Sequence, residues 1–446
     1  MSHIVIIGNG ISGITTARHV RKLSNHQITV ISAETEHFFS RTALMYIYMG
    51  HMNYENTKPY EDWFWAKNRI NLLHDEVLSV DFDKKELKMA STLPISYDKL
   101  VLATGSKPNK FGWPGQNLDG VQGLYSYQDL ESMERRSEHL KRAVIVGGGL
   151  IGVEMAEMFH SRGIPTTFLV REKSFWNKIL PNEESNMVNR EILSNHIDLR
   201  LGEELEEIVD DGQGKVKAIF TKNGETINCG FVGLTVGVSP NISFLKDSGL
   251  SIDRGILINE KQETNIVNVY AVGDCAQHTK PPAGRRNLEQ IWYTGKIQGE
   301  NCAKNICDKE SSYDPGIFYN SAKFFDIEYQ IYGEVSVPQP EHISSLYWEH
   351  HSGKKAIRIA YEKASTIVVG FHLMGVRYRH EVCDAWIRKK TSLKTVIKNL
   401  RAANFDPEFY ESYEPELRTK FKDATGEDVQ QSPLKALQSI IFKTNA

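Results

Sequence analysis

Two glycine-rich segments have the residue types and spacing of dinucleotide-binding turns. GNGISG covers residues 8–13, and GGGLIG covers residues 147–152. In such a turn the first glycine permits a tight bend, the second lets the backbone approach a pyrophosphate, and the third lets helix and strand pack closely. One match is a weak signal, because glycine occurs in many loops. Two matches that each follow an apolar strand and open a helix predict two nucleotide-binding sites.

The elements around the two turns repeat as well. Residues 3–31 and residues 143–170 both have the pattern of strand, turn, helix and strand. The start of each helix would direct free N–H groups and the positive end of its dipole at phosphates. The predicted cofactor-binding residues are Gly8, Gly10, Ile11, Ser12 and Gly13 in the first turn and Gly147, Gly149, Ile151 and Gly152 in the second.

Charged residues follow the second strand of each repeat, where an adenosine ribose is expected. Glu34 lies 21 residues beyond Gly13, and an acid at this distance accepts hydrogen bonds from the ribose hydroxyls. In the second repeat, Arg171 and Glu172 are neighbours. A guanidinium favours the 2′-phosphate of NADPH, whereas a carboxylate favours the ribose diol of NADH. The sequence therefore leaves NADH and NADPH as alternatives.

Length and composition indicate a multidomain globular protein. At about 150 residues per domain, 446 residues predict roughly three domains. Hydrophobic residues make up 40% of the chain and charged residues 24%, which is ordinary for this class. The net charge of −3, without a long basic run, argues against nucleic-acid binding. No apolar run is long enough for a transmembrane segment.

The cysteines indicate a reducing compartment. There are five, with no C-x-x-C pair, which suits free thiols in the cytoplasm. The chain enters the apolar strand pattern HIVII at once, without the features of a signal peptide. No Cys/His cluster has the spacing of metal ligands, so no metal site is expected.

Further motifs, in a fixed order, resemble the FAD-dependent pyridine nucleotide–disulfide oxidoreductase superfamily. VLATGSKPN (residues 101–109), VGVSPN (236–241) and VYAVGDCAQ (269–277) accompany the two turns. SRTAL (40–44) and GRRNLEQIWYTGKIQGEN (284–301) are similar to the branch of nitrite reductase FAD domains, rubredoxin reductases and apoptosis-inducing factor. Each motif alone is common, whereas the ordered set is specific.

The resemblance implies an α/β fold with two Rossmann-like dinucleotide-binding domains and a C-terminal α+β interface domain. Residues 1–112 and 239–318 would form a discontinuous FAD-binding domain, and residues 113–238 an inserted NAD(P)-binding domain. Residues 319–446, with the strand patterns KAIRIAY and STIVVGFHLMG, would form the interface domain. Such a domain is compatible with a homodimer.

The resemblance also implies how FAD and its hydride donor, NADH or NADPH, are held. Asp274 would bind the ribityl and pyrophosphate part of FAD, and Arg41 would contact it near the pyrophosphate. Glu154, the predicted catalytic residue, would reach the nicotinamide amide; the alternative is an acid that only stabilises the start of its helix. A helix starting near Glu289 and Gln290 would direct N–H groups at the flavin. Further cofactor contacts are expected from Val77, Ala103, Thr104, Gly105, Gly237, Gly273 and Gln290.

The loop beside the expected flavin lacks the redox cysteine of disulfide reductases. HFFSRTALMYIYMG (residues 37–50) contains no Cys, and Thr42 stands where a single-cysteine subgroup has its thiol. A hydroxyl cannot carry out two-electron sulfur chemistry. Cys302 and Cys307 have C-x4-C spacing, but five helical residues turn through about 500°, so the two thiols point apart. Disulfide reduction is therefore disfavoured.

These observations predict an FAD-dependent NAD(P)H oxidoreductase that passes electrons to a non-disulfide acceptor. A small redox protein, a quinone and oxygen are the candidate acceptors. The alternative is a redox-sensing interaction protein resembling apoptosis-inducing factor, favoured by the charged extension RTKFKDATGEDVQQ (residues 418–431). The amphipathic segment SPLKALQSIIFK (432–443) is either a helix packed on its own domain or a contact with a membrane surface.

Overall fold

The computed structural model describes residues 1–406, 408–409 and 411–429. The chain divides into two units. The first unit consists of Met1–Lys173 and Asn195–Gly316, and the second of Ser174–Ser194 and Ile317–Ala446. The strands of the first unit are β1 (His3–Ile7), β2 (Gln27–Ser32), β3 (Ile70–His74), β4 (Val77–Asp81), β5 (Glu86–Met89), β6 (Ile95–Ser96), β7 (Lys99–Leu102), β8 (Ser106–Pro108), β9 (Val121–Gln122), β10 (Ala143–Val146), β11 (Thr166–Val170), β12 (Asp198–Leu201), β13 (Leu205–Asp210), β14 (Val216–Thr221), β15 (Thr226–Asn228), β16 (Phe231–Leu234), β17 (Val238–Pro240), β18 (Ile256–Ile258), β19 (Val269–Ala271) and β20 (Ala276–His278).

The helices are distributed over both units. Those of the first unit are α1 (Ile11–Leu23), α2 (Leu44–Tyr48), α3 (Trp63–Lys67), α4 (Tyr127–Ser137), α5 (Leu150–Ser161) and α7 (Trp292–Ile306). The second unit contains the helices α6 (Asn182–Ser194), α8 (His380–Arg388), α9 (Leu393–Lys398) and α10 (Glu414–Thr425) and the strands β21 (Tyr319–Phe324), β22 (Ile327–Gly333), β23 (Ile343–Glu349), β24 (Ala356–Glu362) and β25 (Val368–Met374).

Two five-stranded parallel sheets form the frame of the first unit. Their strand orders are β19-β7-β1-β2-β3 and β12-β11-β10-β16-β9. The chain order reverses at β1 and at β10, the strands that precede the two glycine turns. In open α/β sheets the ligand crevice forms at such a switch point, beyond the carboxyl ends of the strands. The predicted α/β fold with two Rossmann-like sheets is confirmed.

The run HIVII forms a central strand because both of its faces are buried. Ile4 and Ile6 pack with residues of α1 and α7 on one side of the sheet. Val5 and Ile7 pack on the other side, with residues of β4 and β5. A strand covered on both faces is continuously apolar rather than alternating, which is what the sequence has here.

The two crossover segments of the first unit pair with each other. Strands β8 and β17 form an antiparallel ribbon in which Lys107 pairs with Ser239. The ribbon joins the segment that follows β7 to the segment that follows β16. Smaller antiparallel sheets, in the orders β4-β5-β6 and β13-β14-β15, complete this unit together with the parallel pair β18-β20.

The second unit is built on a five-stranded antiparallel sheet, in the order β21-β22-β25-β24-β23. The predicted strands KAIRIAY and STIVVGFHLMG correspond to β24 and β25. Arg358 of β24 donates from Nε to Glu184 Oε1 at 2.6 Å and from Nη2 to Glu184 Oε2 at 2.9 Å. Both side chains are buried, so this ion pair holds α6 to the sheet of its own unit. The assignment of three domains with the boundaries given above stays a prediction.

The amphipathic segment 432–443 lies outside the described residues, and neither interpretation of it is tested. Among the residues that the structure describes, no helix combines the length and apolar character needed to cross a membrane. In the same part of the chain, no three His, Cys, Asp or Glu side chains are grouped so that they could hold a metal ion.

Candidate functional site

The first glycine turn has no room for a side chain at two of its three glycines. Gly8 has a φ of 110°, and a Cβ there would lie 2.1 Å from the carbonyl oxygen of Ala103. A Cβ on Gly13 would lie 2.0 Å from the carbonyl oxygen of Gly8. At Gly10, in contrast, an added Cβ would meet nothing within 4 Å. Gly10 therefore borders open space at the start of α1, where a pyrophosphate is expected.

The second turn repeats this geometry. Gly147 has a φ of 115°, and a Cβ there would lie 2.6 Å from the carbonyl oxygen of Thr235. A Cβ on Gly152 would lie 2.4 Å from the carbonyl oxygen of Gly147, whereas one on Gly149 would meet nothing within 4 Å. The two turns therefore offer the same kind of site, a tight bend with one open position before a helix.

Glu34, the predicted ribose acid, is held in an ion pair with Arg41. Arg41 donates from Nη1 to Glu34 Oε1 at 2.8 Å and from Nη2 to Glu34 Oε2 at 2.5 Å. Glu34 Oε1 also accepts from the backbone N–H of Tyr127 at 2.9 Å, and Arg41 donates to the carbonyl of Tyr125. A bidentate pair restricts both side chains. Two predicted FAD contacts therefore lie together beyond the end of β2.

Asp274 lies in the short 3-10 turn Gly273–Cys275, which follows β19. Its Oδ2 accepts a hydrogen bond from the hydroxyl of Tyr125 at 3.2 Å. Burial raises the pKa of Asp274, while hydrogen bonds from Ser106 and Tyr125 and the charge on Arg41 act in the opposite direction. The carboxyl group is therefore placed in the same crevice as the Arg41 cation.

Gln290 lies just before helix α7, which begins at Trp292, close to the start expected near Glu289 and Gln290. Glu289 is still part of the preceding loop, where it accepts from Arg285 at 2.8 and 2.5 Å. Gln290 Nε2 donates to Ser106 Oγ at 2.7 Å. Gln290 is thereby connected to the crossover ribbon beside the first turn.

Glu154, the predicted catalytic residue, lies near the start of α5, two residues beyond Gly152. Its side chain is only partly exposed. Burial, together with the nearby carboxylate of Glu157, raises the pKa of Glu154 to about 7. A carboxyl group with such a pKa exchanges its proton near neutral pH, and perturbed groups of this kind concentrate at functional sites.

Arg171 and Glu172, the candidates for ribose recognition in the second site, pair with each other. Arg171 donates from Nε to Glu172 Oε1 at 2.9 Å, and the Arg171 side chain is 65% exposed. Val170 before them is buried, and its Cγ1 lies 2.7 Å from where a Cβ on Gly148 would be. The charged pair thus lies just beyond the strand end, and both NADH and NADPH stay open.

The remaining predicted contacts lie around the same strand ends, except for one in the core. Ser12 Oγ lies 2.3 Å from where a Cβ on Gly273 would be, so the first turn touches the turn that carries Asp274. Val77 belongs to β4 and packs into the hydrophobic core with 8% exposure. Whether these residues contact the cofactors stays a prediction. Ile11 and Ile151 lie in the first turns of α1 and α5, Ala103, Thr104 and Gly105 lie between β7 and β8, and Gly237 directly precedes β17.

The cysteines lack the environment of reactive thiols. Cys229, Cys275, Cys302 and Cys383 are buried, and Cys307 is partly buried. Burial raises the pKa of all five thiols, to about 12 for Cys229. Reactive thiols have a lowered pKa, because the thiolate is the nucleophile. The helix predicted around Cys302 is confirmed as α7.

Residues 125–129 contact several predicted FAD residues, although none of them was predicted from the sequence to belong to the site. A signal was present, because Ser126 and Asp129 have the spacing of a capping box, and the box is formed at the start of α4. That signal predicts where the helix begins. It does not predict the contacts of Tyr125 and Tyr127 with Arg41 and Glu34, which depend on distant segments meeting in space.

The residues present fit an FAD at the first turn and a pyridine nucleotide at the second. At Gly10 and Gly149 the open space is the cradle that a phosphate needs to reach the helix N–H groups. Arg41 would offer a cation to the FAD pyrophosphate, Glu34 an acceptor to the ribose, and Asp274 an acceptor to the ribityl hydroxyls.

The sequence matches the family of pyridine nucleotide-disulphide oxidoreductases over residues 2–296, which is more than half of the chain. The protein therefore belongs to this family. The superfamily resemblance is confirmed, and so are the cofactors that it implies, FAD and a pyridine nucleotide.

Individual relatives carry different names. The chain is 25% identical over 394 residues to the assimilatory nitrate reductase electron transfer subunit of Bacillus subtilis, covering 87% of this chain and 49% of that protein. It is 30% identical over 335 residues to an NADH oxidase of Methanocaldococcus jannaschii, covering 73% and 74%. A solved NAD-dependent persulfide reductase from A. fulgidus shares the fold with a TM-score of 0.82 at 22% identity, over 95% of this chain and 84% of that one. The chain spans about half the length of the Bacillus subtilis relative.

Proposed function

We propose that the protein is an FAD-dependent NAD(P)H oxidoreductase that delivers electrons to a non-disulfide acceptor. The observation that carries the proposal is the pair of equivalent glycine turns in one unit, the first surrounded by Glu34, Arg41 and Asp274. FAD, when bound, takes up a hydride from NAD(P)H and gives electrons to the acceptor. The protein supplies binding and orientation, which account for most of the rate in such a transfer.

The chain's own residues divide this work between the two turns. Gly10 and Gly149 leave room for the two pyrophosphates, and the helices behind them supply N–H donors. Arg41 adds a fixed positive charge at the first turn. Glu154 orients the nicotinamide amide, donating a hydrogen bond when it is neutral and accepting one when it is charged. No general acid or base is needed for hydride transfer itself.

The acceptor class is inferred from the thiols and from the loop of residues 37–50. Thr42 Oγ1 lies 3.1 Å from Ser40 Oγ, and the loop contains no Cys. Thiol–disulfide exchange needs an accessible thiolate, whereas burial raises the pKa of all five thiols here. We therefore propose a small redox protein as the acceptor, in line with a relative named as an electron transfer subunit. Oxygen is the second candidate, since another relative is named an NADH oxidase.

The cellular compartment is inferred from the same five thiols. Free, largely buried cysteines suit a reducing compartment, so we propose that the protein works in the cytoplasm. The homodimer stays a prediction that rests on the resemblance of the C-terminal part to an interface domain.

Acceptor turnover separates the candidates. NAD(P)H oxidation is measured with rubredoxin, with oxygen and with a soluble disulfide, for the wild type and for five single Cys→Ala variants. We expect fast turnover with rubredoxin, slow turnover with the disulfide, and no loss in any variant that retains FAD. A disulfide activity that one Cys→Ala change abolishes would overturn the thiol-free proposal. A reduced flavin that persists with every acceptor would favour the redox-sensing alternative.

A further inference from the structure

Tyr125 contacts three separate segments that bind FAD in the proposed function. Its hydroxyl accepts from the N–H of Ser106 at 2.9 Å and donates to Asp274 Oδ2 at 3.2 Å. The Arg41 guanidinium carbon lies 4.4 Å from the centre of the Tyr125 ring, and Arg41 also donates to the Tyr125 carbonyl. One residue therefore joins the loop after β2, the crossover after β7 and the turn after β19.

The backbone of Tyr125 is fixed by the start of α4. Asp129 Oδ2 accepts from the N–H of Tyr125 and from the N–H of Ser126, both at 2.9 Å. Ser126 Oγ in turn accepts from the N–H of Asp129 at 3.1 Å. These bonds close within the segment itself, so Tyr125 is held in place without help from a ligand.

The fit around the hydroxyl is close. A Cβ on Gly105 would lie 2.7 Å from the Tyr125 hydroxyl oxygen, so the glycine of the crossover leaves the space that the phenol occupies. The hydroxyl has one donor neighbour and one acceptor neighbour, so it both accepts and donates a hydrogen bond. A phenylalanine would keep the ring under Arg41 and lose only the two hydrogen bonds.

We propose that Tyr125 is a positioning residue for FAD, whose hydroxyl orients the Asp274 carboxylate while its ring supports Arg41. The cation and the anion that receive the cofactor are thereby kept at a fixed separation. This inference rests on the proposed function, in which Arg41 and Asp274 are FAD contacts.

The hydroxyl also affects the charge on Asp274. The groups that face this carboxyl are Arg41 from the loop after β2, Ser106 from the crossover, Tyr125, and the Cys275 thiol of its own turn. Burial raises the pKa of Asp274, and the bond from Tyr125 counteracts part of that rise. Without the hydroxyl, Asp274 keeps its proton to a higher pH and offers fewer acceptor sites to the ribityl hydroxyls.

The experiment measures FAD binding to the full chain across a pH series, for the wild type and for Tyr125→Phe. We expect the Kd for FAD to rise about tenfold, the effect of one hydrogen bond to a charged group. The pH below which FAD is released should be higher in Tyr125→Phe than in the wild type, because Asp274 takes up a proton more readily without the hydroxyl. A role in general stability alone would not move that pH.

Asp274→Asn is a second variant, which tests whether the Tyr125 hydroxyl acts on FAD binding through the Asp274 carboxylate. In the Asp274→Asn background, Tyr125→Phe should change the Kd by less than about threefold, since no carboxylate is left to orient. Tyr332→Phe is the matched control: it removes a buried hydroxyl that donates to the Tyr378 carbonyl at 3.2 Å in the other unit. It should leave both the Kd and the pH of release unchanged.

The outcomes separate this inference from the function on which it rests. A wild type that binds FAD and is reduced by NAD(P)H, with Tyr125→Phe equal to it at every pH, would overturn the role of Tyr125 alone. An equal effect of Tyr125→Phe with and without the Asp274 carboxylate would do the same. A wild type that binds no FAD would overturn the proposed function and this role with it.

Discussion

The two glycine turns have the same backbone geometry and very different surroundings. Beyond the strand that follows the first turn, the Glu34 side chain is 19% exposed and is bound by Arg41 and by the N–H of Tyr127. Beyond the corresponding strand of the second turn, Arg171 is 65% exposed and is paired with its neighbour Glu172. The charged pair of the first site is therefore largely enclosed and bonded to a distant segment, whereas the Arg171 side chain of the second site lies mostly in solvent.

This difference separates a resident cofactor from an exchangeable one. Side chains that are already fixed lose little conformational freedom on binding, so they favour a tight complex. Exposed side chains must be ordered by the ligand, which weakens binding and favours release. We therefore propose that FAD binds at the first turn and that NAD(P)H, which must leave after each cycle, binds at the second.

The largest expected effect comes from closing the open position of each turn. Gly10→Ala and Gly149→Ala add a methyl group that meets no protein atom, so both variants should fold normally. Each methyl group would instead occupy space that the pyrophosphate of the bound dinucleotide needs. The affinity for that dinucleotide should therefore fall about a hundredfold. Gly10→Ala should be purified without FAD, and Gly149→Ala should be yellow but poorly reduced by NAD(P)H.

Absorbance of the purified variants and thermal unfolding of their FAD-free forms check this prediction. Gly13→Ala is the control for a methyl group that clashes with the protein, since its Cβ would lie 2.0 Å from the Gly8 carbonyl oxygen. It should lower the melting temperature, whereas Gly10→Ala should not. An FAD-loaded Gly10→Ala protein would contradict the assignment of the first turn.

The ordered charge pair of the first site predicts the next effect in size. Arg41→Lys keeps the charge and cannot make the bidentate bond to Glu34, so FAD should bind about tenfold more weakly. The same change at the exposed pair, Arg171→Lys, should leave FAD binding unaltered. Equilibrium dialysis of FAD measures both variants, and equal losses in the two would remove the distinction between the sites.

The second site should respond to pH through Glu154. Burial raises the pKa of Glu154 to about 7 from an ordinary value of 4.5, so the neutral carboxyl is the form that the folded state prefers. Its contribution to stability is complete below pH 4.5 and is lost as the pH rises through 7. Glu154→Gln should therefore gain stability relative to the wild type as the pH is raised over this interval.

Glu154→Gln also tests the role of Glu154 in reduction. The rate of flavin reduction by NAD(P)H in the wild type should change by about fivefold around pH 7, and in Glu154→Gln it should be nearly flat. Stopped-flow absorbance at a series of pH values measures both. An unchanged pH profile in the variant would assign Glu154 to helix stabilisation alone.

The smallest effects concern nucleotide choice. Because Arg171 and Glu172 pair, each reduces what the other can offer to a ribose. Glu172→Ala should free the Arg171 guanidinium and strengthen the binding of NADPH about threefold. Arg171→Ala should free the Glu172 carboxylate and shift the preference of the protein to NADH. The ratio of kcat/KM values for the two nucleotides reports the change. Parallel losses for both would mean that the pair supports the loop rather than selecting the ribose.

The strands, turns and helices that position the site could be predicted from the sequence, whereas most of the side-chain contacts within the site could not. The strand–turn–helix repeats and the parallel sheets follow from local patterns, since HIVII and GNGISG are contiguous in the chain. The pattern around Gln290 predicts the start of α7 to within a few residues, but it does not reveal that Glu289 binds Arg285 in the loop before the helix. The ion pair of Glu34 with Arg41 and the bridge by Tyr125 were not predicted, because these contacts join residues that only the tertiary fold brings together.

Anaerobic titration is the most direct test of hydride transfer from NAD(P)H to FAD bound to this protein. FAD-loaded protein is titrated without oxygen with NADH and, separately, with NADPH, while the yellow absorbance of the flavin is recorded. We expect at least one nucleotide to bleach the flavin with about one equivalent per FAD, and we expect Gly149→Ala to need about a hundredfold more nucleotide. A flavin that stays oxidised with both nucleotides would overturn the proposed NAD(P)H oxidoreductase function.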